Sequence, residues 1–380
     1  MPRLLIIASE FPPGPGGIGT HAFQLAMNLA RQGWKVTVAS PQNYVTQEEI
    51  EKFNEARPFT ILRLAAGPNP TLAFLKRLFT VRQILKEVRP DVILASGDRM
   101  IYLAAVTAGT IPWMAVEHGR SPQGVEKVVK KWAFEKASRV ICVSKHTERQ
   151  MSLQNIKPLR TSVIYNGADP EAFFVIDDPA KHAFVEKYGL ENKKILLTVG
   201  NVTKRKGQEF VIRAMPYILK EIPNAHYLMA GLPTEKQAYF KLAELLGVSE
   251  FVHFLGRQDA RDILCLMNVC DVFLMTSRHI NGQFEGYGIA AIEAALCAKP
   301  AVVSADSGLV EAIQDGKTGI AVPPENEIET ANAVIRLLKD DNFRLKMGEA
   351  ARERALREQA WQNCAQSYDS VLREIITGEV

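Results

Sequence analysis

Two glutamates that lie eight residues apart are the side chains of this sequence best placed for chemistry. Glu285 and Glu293 belong to the segment FEGYGIAAIEAALCAKP, where Gly286 and Gly288 predict a loop that leads into a helix. Eight helical steps would separate the carboxylates by about 12 Å along the axis, more than the roughly 5 to 10 Å of glycosidase pairs. The pair is better suited to two parts of one long ligand, such as the sugar and the ribose of a nucleotide sugar. Glu293 alone could equally be an exposed helix carboxylate.

A glycine-rich loop after the first apolar segment could bind phosphate. Gly14, Gly16 and Gly19 in GPGGIG have the spacing GxGxxG and precede a helical pattern. Glycines allow backbone amides to approach a pyrophosphate at the N-terminus of the following helix. A dinucleotide site also needs an acidic residue about twenty positions further on, but WKVTVASPQN contains none before Glu48. The loop therefore favours a phosphate or a sugar over NAD, and a structural turn is the remaining alternative.

Two further loops could bind the same anion. In NVTKRKGQEF, Lys204, Arg205 and Lys206 stand before Gly207 and a helical pattern. Cations beside a helix N-terminus suit a diphosphate, although a solvated basic turn would have the same sequence. The GxxxxGK[ST] spacing of a P-loop does not occur. The segment SADSGLVEAI repeats the order of strand, glycine and helix at Gly308. The three loops together predict one phosphorylated ligand.

The remaining candidates for reactive side chains are one of the seven histidines and the five scattered cysteines. His118 follows an apolar run in WMAVEHG, where it could serve catalysis or be a hydrogen-bonded core histidine. The cysteines have no CxxC spacing, which argues against a disulfide framework and a structural zinc. No carboxylate or histidine cluster has convincing metal-ligand spacing. We therefore expect a reducing cytoplasm and no metal.

The apolar segments predict two α/β domains. In 380 residues, 47% of them hydrophobic, short β-branched runs alternate with helical patterns, which is typical of parallel sheets covered by helices. The alternation restarts after the acidic stretch 177–179, expected to be the linker. The predicted domains are 1–172 and 173–361, with a terminal helix of about 362–380 crossing back to the first. Trp361 and Tyr368 are its expected packing anchors. The helical tail is predicted as two parts, roughly 326–340 and 342–376.

Charge is divided unevenly along the chain. Residues 1–170 contain 22 Lys and Arg against 13 Asp and Glu, whereas residues 171–380 contain 24 against 29. A basic half suggests an anionic partner, either ligand phosphates or an acidic membrane. In FLKRLFTVRQILKEVR and VEKVVKKWAFEKASR, apolar residues recur at helical steps beside cations, so peripheral membrane contact competes with ordinary packing. No run of about 18 apolar residues predicts a spanning helix, and no nucleic-acid-binding module is recognised.

These segments together resemble glycosyltransferase family 4, whose members have the GT-B fold. FEGYGIAAIE is similar to its E-x7-E signature, VEHG to its central histidine strand, and LLTVGNVTKRKG to its donor phosphate loop. GGIGTHAFQLAMNLARQGWKVTV resembles the acceptor-side opening, VIYNGADPEAF the hinge entry, and DSGLVEAIQDGKTGIAVPPEN the closing donor segment. The resemblance covers nearly the whole chain. It implies two Rossmann-like domains facing across a cleft, the first for the acceptor and the second for a nucleotide-sugar donor.

The resemblance also implies roles for individual residues. Glu293 would bind the donor ribose, and Glu285 would bind the hydroxyls of the transferred sugar. Lys206 and Arg205 would hold the diphosphate, and His118 would lie beside the anomeric carbon. The other residues implied in donor binding are Gly16, Gly17, Asn201, Gly286, Tyr287, Gly288 and Gly308.

Two positions depart from the family pattern. Gly200 is followed by Asn201 where many relatives have Gly-Arg. Either Arg205 supplies the missing cation or the diphosphate is held more weakly. Tyr287 replaces the more usual Phe of EGFG, which is a mild change.

The implied reaction is transfer of a sugar from a UDP- or GDP-sugar to a hydroxyl, with retention at the anomeric carbon. The setting would be cell-envelope glycan or glycolipid synthesis, in the cytoplasm or at the inner face of its membrane. The acceptor would be a sugar, a lipid-linked molecule or a small molecule, and no metal or other cofactor would be required. The alternatives are a non-catalytic nucleotide-sugar-binding protein and, with less support, an NAD(P)-dependent oxidoreductase.

Overall fold

The computed structural model describes residues 1–14, 16–42, 45–55, 57–67 and 69–378. The last two positions of the expected terminal helix therefore lie outside the described residues. The chain divides into two compact units, of which unit 1 contains Met1–Asn166 and Trp361–Val380 and unit 2 contains Gly167–Ala360. Each unit has its own parallel sheet.

Unit 1 is built on a sheet of seven strands. They are β1 Arg3–Ala8, β2 Lys35–Pro41, β3 Thr60–Leu64, β4 Val92–Ser96, β5 Trp113–Glu117, β6 Arg139–Cys142 and β7 Thr161–Val163. The spatial order is β3-β2-β1-β4-β5-β6-β7, and all neighbours are parallel. The central strands are buried on both faces, which explains why they are continuous apolar runs rather than alternating ones.

Within the described residues of unit 1, six helices follow strands of this sheet. They are α1 Gly17–Arg31, α2 Gln47–Glu55, α3 Pro70–Val88, α4 Asp98–Thr107, α5 Gly124–Lys136 and α6 Lys145–Leu153. In α1 the buried residues His21, Leu25 and Leu29 recur every four positions and so form one face. The same helix begins directly after the glycine-rich loop.

Unit 2 is built on a sheet of six strands. Its elements in chain order are α7 Asp178–Lys187, β8 Lys194–Val199, α8 Gln208–Glu221, β9 Ala225–Ala230, α9 Lys236–Leu245, β10 Val252–Gly256, α10 Ala260–Val269, β11 Val272–Met275, α11 Ile289–Leu296, β12 Ala301–Ser304, α12 Leu309–Ala312, β13 Gly319–Val322, α13 Glu327–Lys339 and α14 Asp341–Glu358. The parallel strands are ordered β10-β9-β8-β11-β12-β13. The predicted restart of the strand-helix pattern is confirmed.

The acidic stretch that was expected to be a linker instead begins α7. The carboxylate of Asp177 accepts a hydrogen bond from the amide of Ala180, and Pro179 occupies the first turn. An acidic N-cap followed by proline is a helix-start signal. The linker interpretation was therefore wrong.

The predicted helix over 342–376 is two helices. The first is α14, and the second, α15, is Trp361–Thr377. The carbonyl oxygen of Gln359 accepts from the amide of Ala168 at 2.8 Å, and Ala360 forms a parallel β-bridge with Ala168. The helix is interrupted because the carbonyl group of Gln359 bonds to the distant residue Ala168 and not to an amide of the next helical turn.

Helix α15 returns the chain to unit 1. Trp361 and Tyr368 are buried, and the phenol of Tyr368 lies 3.1 Å from Nε2 of His21. The indole of Trp34 donates to Asp369 at 2.6 Å. The two predicted anchors are confirmed. Within the described part of the chain, no helix combines the length and the apolar character that crossing a bilayer requires.

Candidate active site

A basic turn follows the first strand of unit 2. After β8 the chain forms a single 3-10 turn at Lys204–Lys206, and α8 begins at Gln208. Gly207 has a φ of 69°, and a side-chain carbon there would lie 2.0 Å from the carbonyl oxygen of Thr276. This position therefore requires glycine. The side chain of Gln208 donates to the carbonyl oxygen of Asn201 at 3.0 Å, which ties the start of the loop to the helix.

The turn places two cations on one carboxylate. Arg205 Nη1 lies 2.8 Å and Lys206 Nζ 2.7 Å from Oε2 of Glu285, and the Ser277 hydroxyl lies 3.4 Å from the same oxygen. Burial alone would raise the pKa of Glu285, but the two cations lower it to about 2. Arg205, Lys206 and Glu285, called the Glu285 cluster below, therefore carry one more positive charge than negative.

Glu293 lies on α11 with no such compensation. The residue is half-buried. Among the residues that the structure describes, no hydrogen bond or ion pair reaches its carboxylate. Burial raises the pKa of Glu293 to about 7. Donors such as ligand hydroxyls could therefore bind this carboxylate.

Two glycines bring neighbouring loops of unit 2 against each other. Gly288 has a φ of 87°, and a side-chain carbon there would lie 2.2 Å from Cδ2 of Leu309. The amide of Gly308 donates to the carbonyl oxygen of Glu285 at 3.0 Å. The third predicted loop is thus fastened to the Glu285 cluster through the backbone.

The glycine-rich loop of unit 1 leads directly into α1. Gly16 has a φ of 146°, and a side-chain carbon there would lie 2.0 Å from Oε2 of Glu10. Its carbonyl oxygen accepts from the amide of Thr20 at 3.0 Å. A side-chain carbon at Gly17 would meet open space, so a ligand could approach the backbone at the start of this helix.

His118 follows β5 at the same edge of the sheet. Its Nε2 lies 2.8 Å from the hydroxyl of Ser96, the last residue of the neighbouring strand β4. Its ring is edge-on to that of His21 on α1, with centroids 4.9 Å apart. Burial lowers the pKa of His118 to about 4. The imidazole is therefore neutral at pH 7, and both a strand and a helix orient it.

A buried ion cluster supports the loop after β5. Nζ of Lys130 contacts the carboxylate of Glu117 and lies 3.4 Å from Oδ1 of Asp98. Lys130 also donates to the carbonyl oxygen of Arg120 at 2.7 Å. The guanidinium of Arg120 lies 2.8 Å from Oδ2 of Asp98. These four residues are called the Lys130 cluster below.

Two family models match this chain. The model described as Glycosyltransferase Family 4 matches residues 15–172, and the model described as Glycosyl transferases group 1 matches residues 181–354. The chain belongs to these glycosyltransferases. The resemblance stated from the sequence is confirmed. The enzyme class of this glycosyltransferase is hexosyltransferase.

The glycosyltransferase is similar along its whole length to a named enzyme and to solved structures. It is 28% identical, over 99% of its chain and 98% of the relative, to a protein of Mycolicibacterium smegmatis named GDP-mannose-dependent alpha-(1-6)-phosphatidylinositol monomannoside mannosyltransferase. Sucrose-phosphate synthase from Thermosynechococcus elongatus superposes with a TM-score of 0.86 at 21% identity over 100% of both chains. Anabaena HepE, solved with UDP and glucose, superposes with a TM-score of 0.85 at 21% identity over 98% of this chain and 100% of its own. These structures confirm the predicted GT-B fold.

The predicted site residues of the glycosyltransferase fall into two groups, one in each unit. Gly16, Gly17 and His118 lie at the strand ends of unit 1. The group in unit 2 comprises Asn201, Arg205, Lys206, Glu285, Gly286, Tyr287, Gly288, Glu293 and Gly308. Within that group, Tyr287 is buried, and its phenol accepts from Gln359 at 3.0 Å.

Sequence reasoning missed three polar partners of the site. Ser277 contacts Glu285, Ser96 contacts His118, and His21 packs against His118. Ser96 and Ser277 stand at or just after the ends of strands that the apolar runs DVILAS and DVFLMTS reveal. Because ligands bind at the carboxyl ends of parallel strands, a polar residue closing such a run was the available signal.

Proposed function

We propose that the glycosyltransferase transfers a sugar from a UDP- or GDP-sugar to a hydroxyl acceptor, with retention at the anomeric carbon. The observation that carries the proposal is the contact of Arg205 and Lys206 with one oxygen of Glu285. The surplus positive charge suits a departing diphosphate, and the carboxylate suits sugar hydroxyls. The mannosyltransferase relative is named as GDP-mannose-dependent, and HepE was solved with UDP, which supports both nucleotides as candidates.

The remaining donor contacts follow the same chemistry. Glu293, which lacks a protein partner among the described residues, accepts the hydroxyls of the ribose. The backbone at Gly16 and Gly17 approaches the distal phosphate and the sugar. Asn201 is neutral and occupies a position where many relatives have an arginine. Arg205 therefore neutralises a larger part of the negative charge of the diphosphate. The donor loops are completed by Gly286, Tyr287, Gly288 and Gly308.

In the proposed mechanism, the acceptor attacks the face from which the diphosphate departs. The oxygen of the leaving phosphate takes the proton of the acceptor hydroxyl, the new glycosidic bond forms, and the old bond to phosphate breaks. Lys206 and Arg205 stabilise the negative charge that develops on the phosphate. His118 lies beside the anomeric carbon as a neutral imidazole. Fixed cations supply the neutralisation, so no metal is required in this scheme.

The acceptor, we propose, belongs to cell-envelope glycan or glycolipid synthesis at an anionic membrane on the cytoplasmic side. Exposed apolar residues follow one face of α5, where Val125 and Val128 are 81% and 66% exposed, and Trp132 follows one turn later. Nζ of Lys136 lies 4.5 Å from the centroid of the Trp132 ring. An apolar stripe flanked by cations is suited to the headgroup region of an acidic bilayer.

The donor chemistry is tested by Lys206→Ala, with Lys204→Ala as the control. Lys204 is exposed and lies in the same turn, so the two variants lose the same charge. Loss of one contact to the leaving charge costs about 3 kcal/mol, or about a hundredfold in turnover. We expect that loss at Lys206, measured as nucleoside diphosphate release with UDP-, GDP- and ADP-sugars. Equal turnover in the two variants would discard the assignment, and an inverted anomer in the product's NMR spectrum would discard retention.

Membrane contact is tested by sedimentation with vesicles of acidic phospholipid at low salt. Burying one large apolar side chain contributes about 1.5 kcal/mol or more, so Val128→Ser should weaken vesicle binding by about tenfold. Leu153→Ser is the matched control, because Leu153 is 69% exposed at the end of α6. Protein that stays in the supernatant would remove the membrane proposal and leave the transfer reaction untouched.

A further inference from the structure

Unit 1 contains a cavity of about 190 Å³ at the carboxyl edge of its sheet. Its lining includes Glu10 after β1, Gln42 after β2, Arg99 at the start of α4, and Arg77 of α3. The strands β2, β1 and β4 are neighbours, and β5, which leads to His118, is the next strand. The cavity therefore lies at the same edge of the sheet as the histidine, and Gly14 of the glycine-rich loop lines it.

Two cations of this cavity have no anionic partner among the described residues. Arg77 is 9% exposed, and its Nε donates to the carbonyl oxygen of Ala65 at 2.7 Å. Within the described ranges, no carboxylate forms an ion pair with Arg77 or Arg99. The guanidinium of Arg77 stays charged, and burying that charge without a counterion is costly. Arg99 is exposed and lines the same cavity. Burial and repulsion from Arg99 both lower the pKa of Arg77, as expected for cations that share a space without an anion.

The carboxylate of Glu10 does not neutralise this pair. It lies against Gly16, where a side-chain carbon would be 2.0 Å from its Oε2. Burial raises its pKa, and neither guanidinium is within ion-pair distance. The cavity thus offers two separate functions, an anion site at the arginines and a hydrogen-bond acceptor for hydroxyls at Glu10.

We propose that this cavity binds a phosphorylated sugar or polyol as the acceptor, with Arg77 and Arg99 on its phosphate and Glu10 on a hydroxyl. The inference rests on the proposed transfer reaction and deepens it, because it names the acceptor's chemical class. A guanidinium binds phosphate through paired, charge-assisted hydrogen bonds. The phosphate could be that of a soluble ester or of a lipid headgroup.

The test compares hexose 6-phosphate with the unphosphorylated hexose in the full chain. Titration calorimetry with hexose 6-phosphate is performed on the natural protein, Arg99→Gln, Arg77→Gln and Arg82→Gln. Arg82 is exposed on the same helix as Arg77, so Arg82→Gln is a control of equal charge change. We expect hexose 6-phosphate to bind more tightly than hexose, and Arg99→Gln and Arg77→Gln to weaken that binding by about tenfold or more. Arg82→Gln should change it less than twofold.

A second arm uses vesicles of anionic phospholipid. If the soluble ester does not bind but Arg99→Gln weakens vesicle binding relative to Arg82→Gln, the phosphate belongs to a lipid headgroup and the proposal stands. If Arg99→Gln binds both hexose 6-phosphate and vesicles as Arg82→Gln does, the proposal is wrong. This outcome can be measured even if Arg77→Gln fails to fold, because Arg99→Gln alone decides it. Donor titrations with UDP- and GDP-sugars are run on the same variants. If the natural protein binds neither the UDP-sugars nor the GDP-sugars, the proposed reaction is contradicted, but the result on phosphate binding still stands.

Discussion

The Glu285 cluster of unit 2 and the Lys130 cluster of unit 1 combine the same residue types with different ratios of cations to carboxylates. Both follow the ends of parallel strands, and both combine lysine, arginine and carboxylate. In unit 1 Lys130 and Arg120 are paired with the carboxylates of Glu117 and Asp98, and Arg120 also with that of Glu126. In unit 2 two cations share one carboxylate. We expect the fully paired cations of unit 1 to support the fold, and the uncompensated positive charge of unit 2 to be available to a ligand.

The sharpest way to break this comparison is Lys130→Ala. The Lys130 side chain is 1% exposed. Its removal leaves the carboxylate of Glu117 buried without a cation, whereas Asp98 keeps Arg120 at 2.8 Å. Breaking a buried pair from one side costs about 3 to 5 kcal/mol of stability. The measurement is thermal unfolding, with amide hydrogen exchange of β5 to report on unit 1 alone. Lys131→Ala is the control, because Lys131 is exposed and 3.9 Å from Glu135. Equal stability of the two variants would remove the distinction between scaffold and site.

Glu293 should show that the candidate site of unit 2 lowers the stability of the protein. The folded pKa of about 7 lies above the ordinary carboxyl value, so the folded state holds a proton that the unfolded chain has lost. The carboxyl of Glu293 lowers the free energy of unfolding least below about pH 4.5, and it lowers it increasingly as the pH rises through 7. Glu293→Gln should therefore stabilise the protein at pH 8, by at most about 3 kcal/mol, and have little effect at pH 4.5. Melting temperatures measured across this range decide it, and a gain that is equal at both pH values would contradict the unpaired carboxylate.

Sequence patterns predicted the parts of the molecule that depend on neighbouring residues. The apolar runs were enough to predict the two parallel sheets. The glycines around Glu285 and Lys206 were enough to identify these two as candidate site residues. The Lys130 cluster could not be predicted, because Lys130 in EKVVKKWAFEK has the spacing of a surface lysine and its partners come from β5 and α4. The break after α14 was equally hidden, since it depends on Ala168, far away in the chain.

The smallest expected effect concerns the stability of Lys206→Ala, and it sharpens the comparison most directly because it repeats the substitution made at Lys130. Glu285 keeps Arg205 at 2.8 Å when Lys206 is lost, and the repulsion between the two cations disappears. Because Glu285 is not left unpaired, we expect a loss of about 1.5 kcal/mol at pH 7, as for one hydrogen bond to a charged group, and not the roughly 3 to 5 kcal/mol of an unpaired buried charge. The lowered pKa of Glu285, about 2, gives a stability that is present above pH 4.5 and lost as pH falls toward 2. The difference between Lys206→Ala and the natural protein should therefore shrink in acid. A loss at pH 7 as large as that of Lys130→Ala would mean that Lys206 belongs to the scaffold, and that the surplus charge does not mark a ligand site.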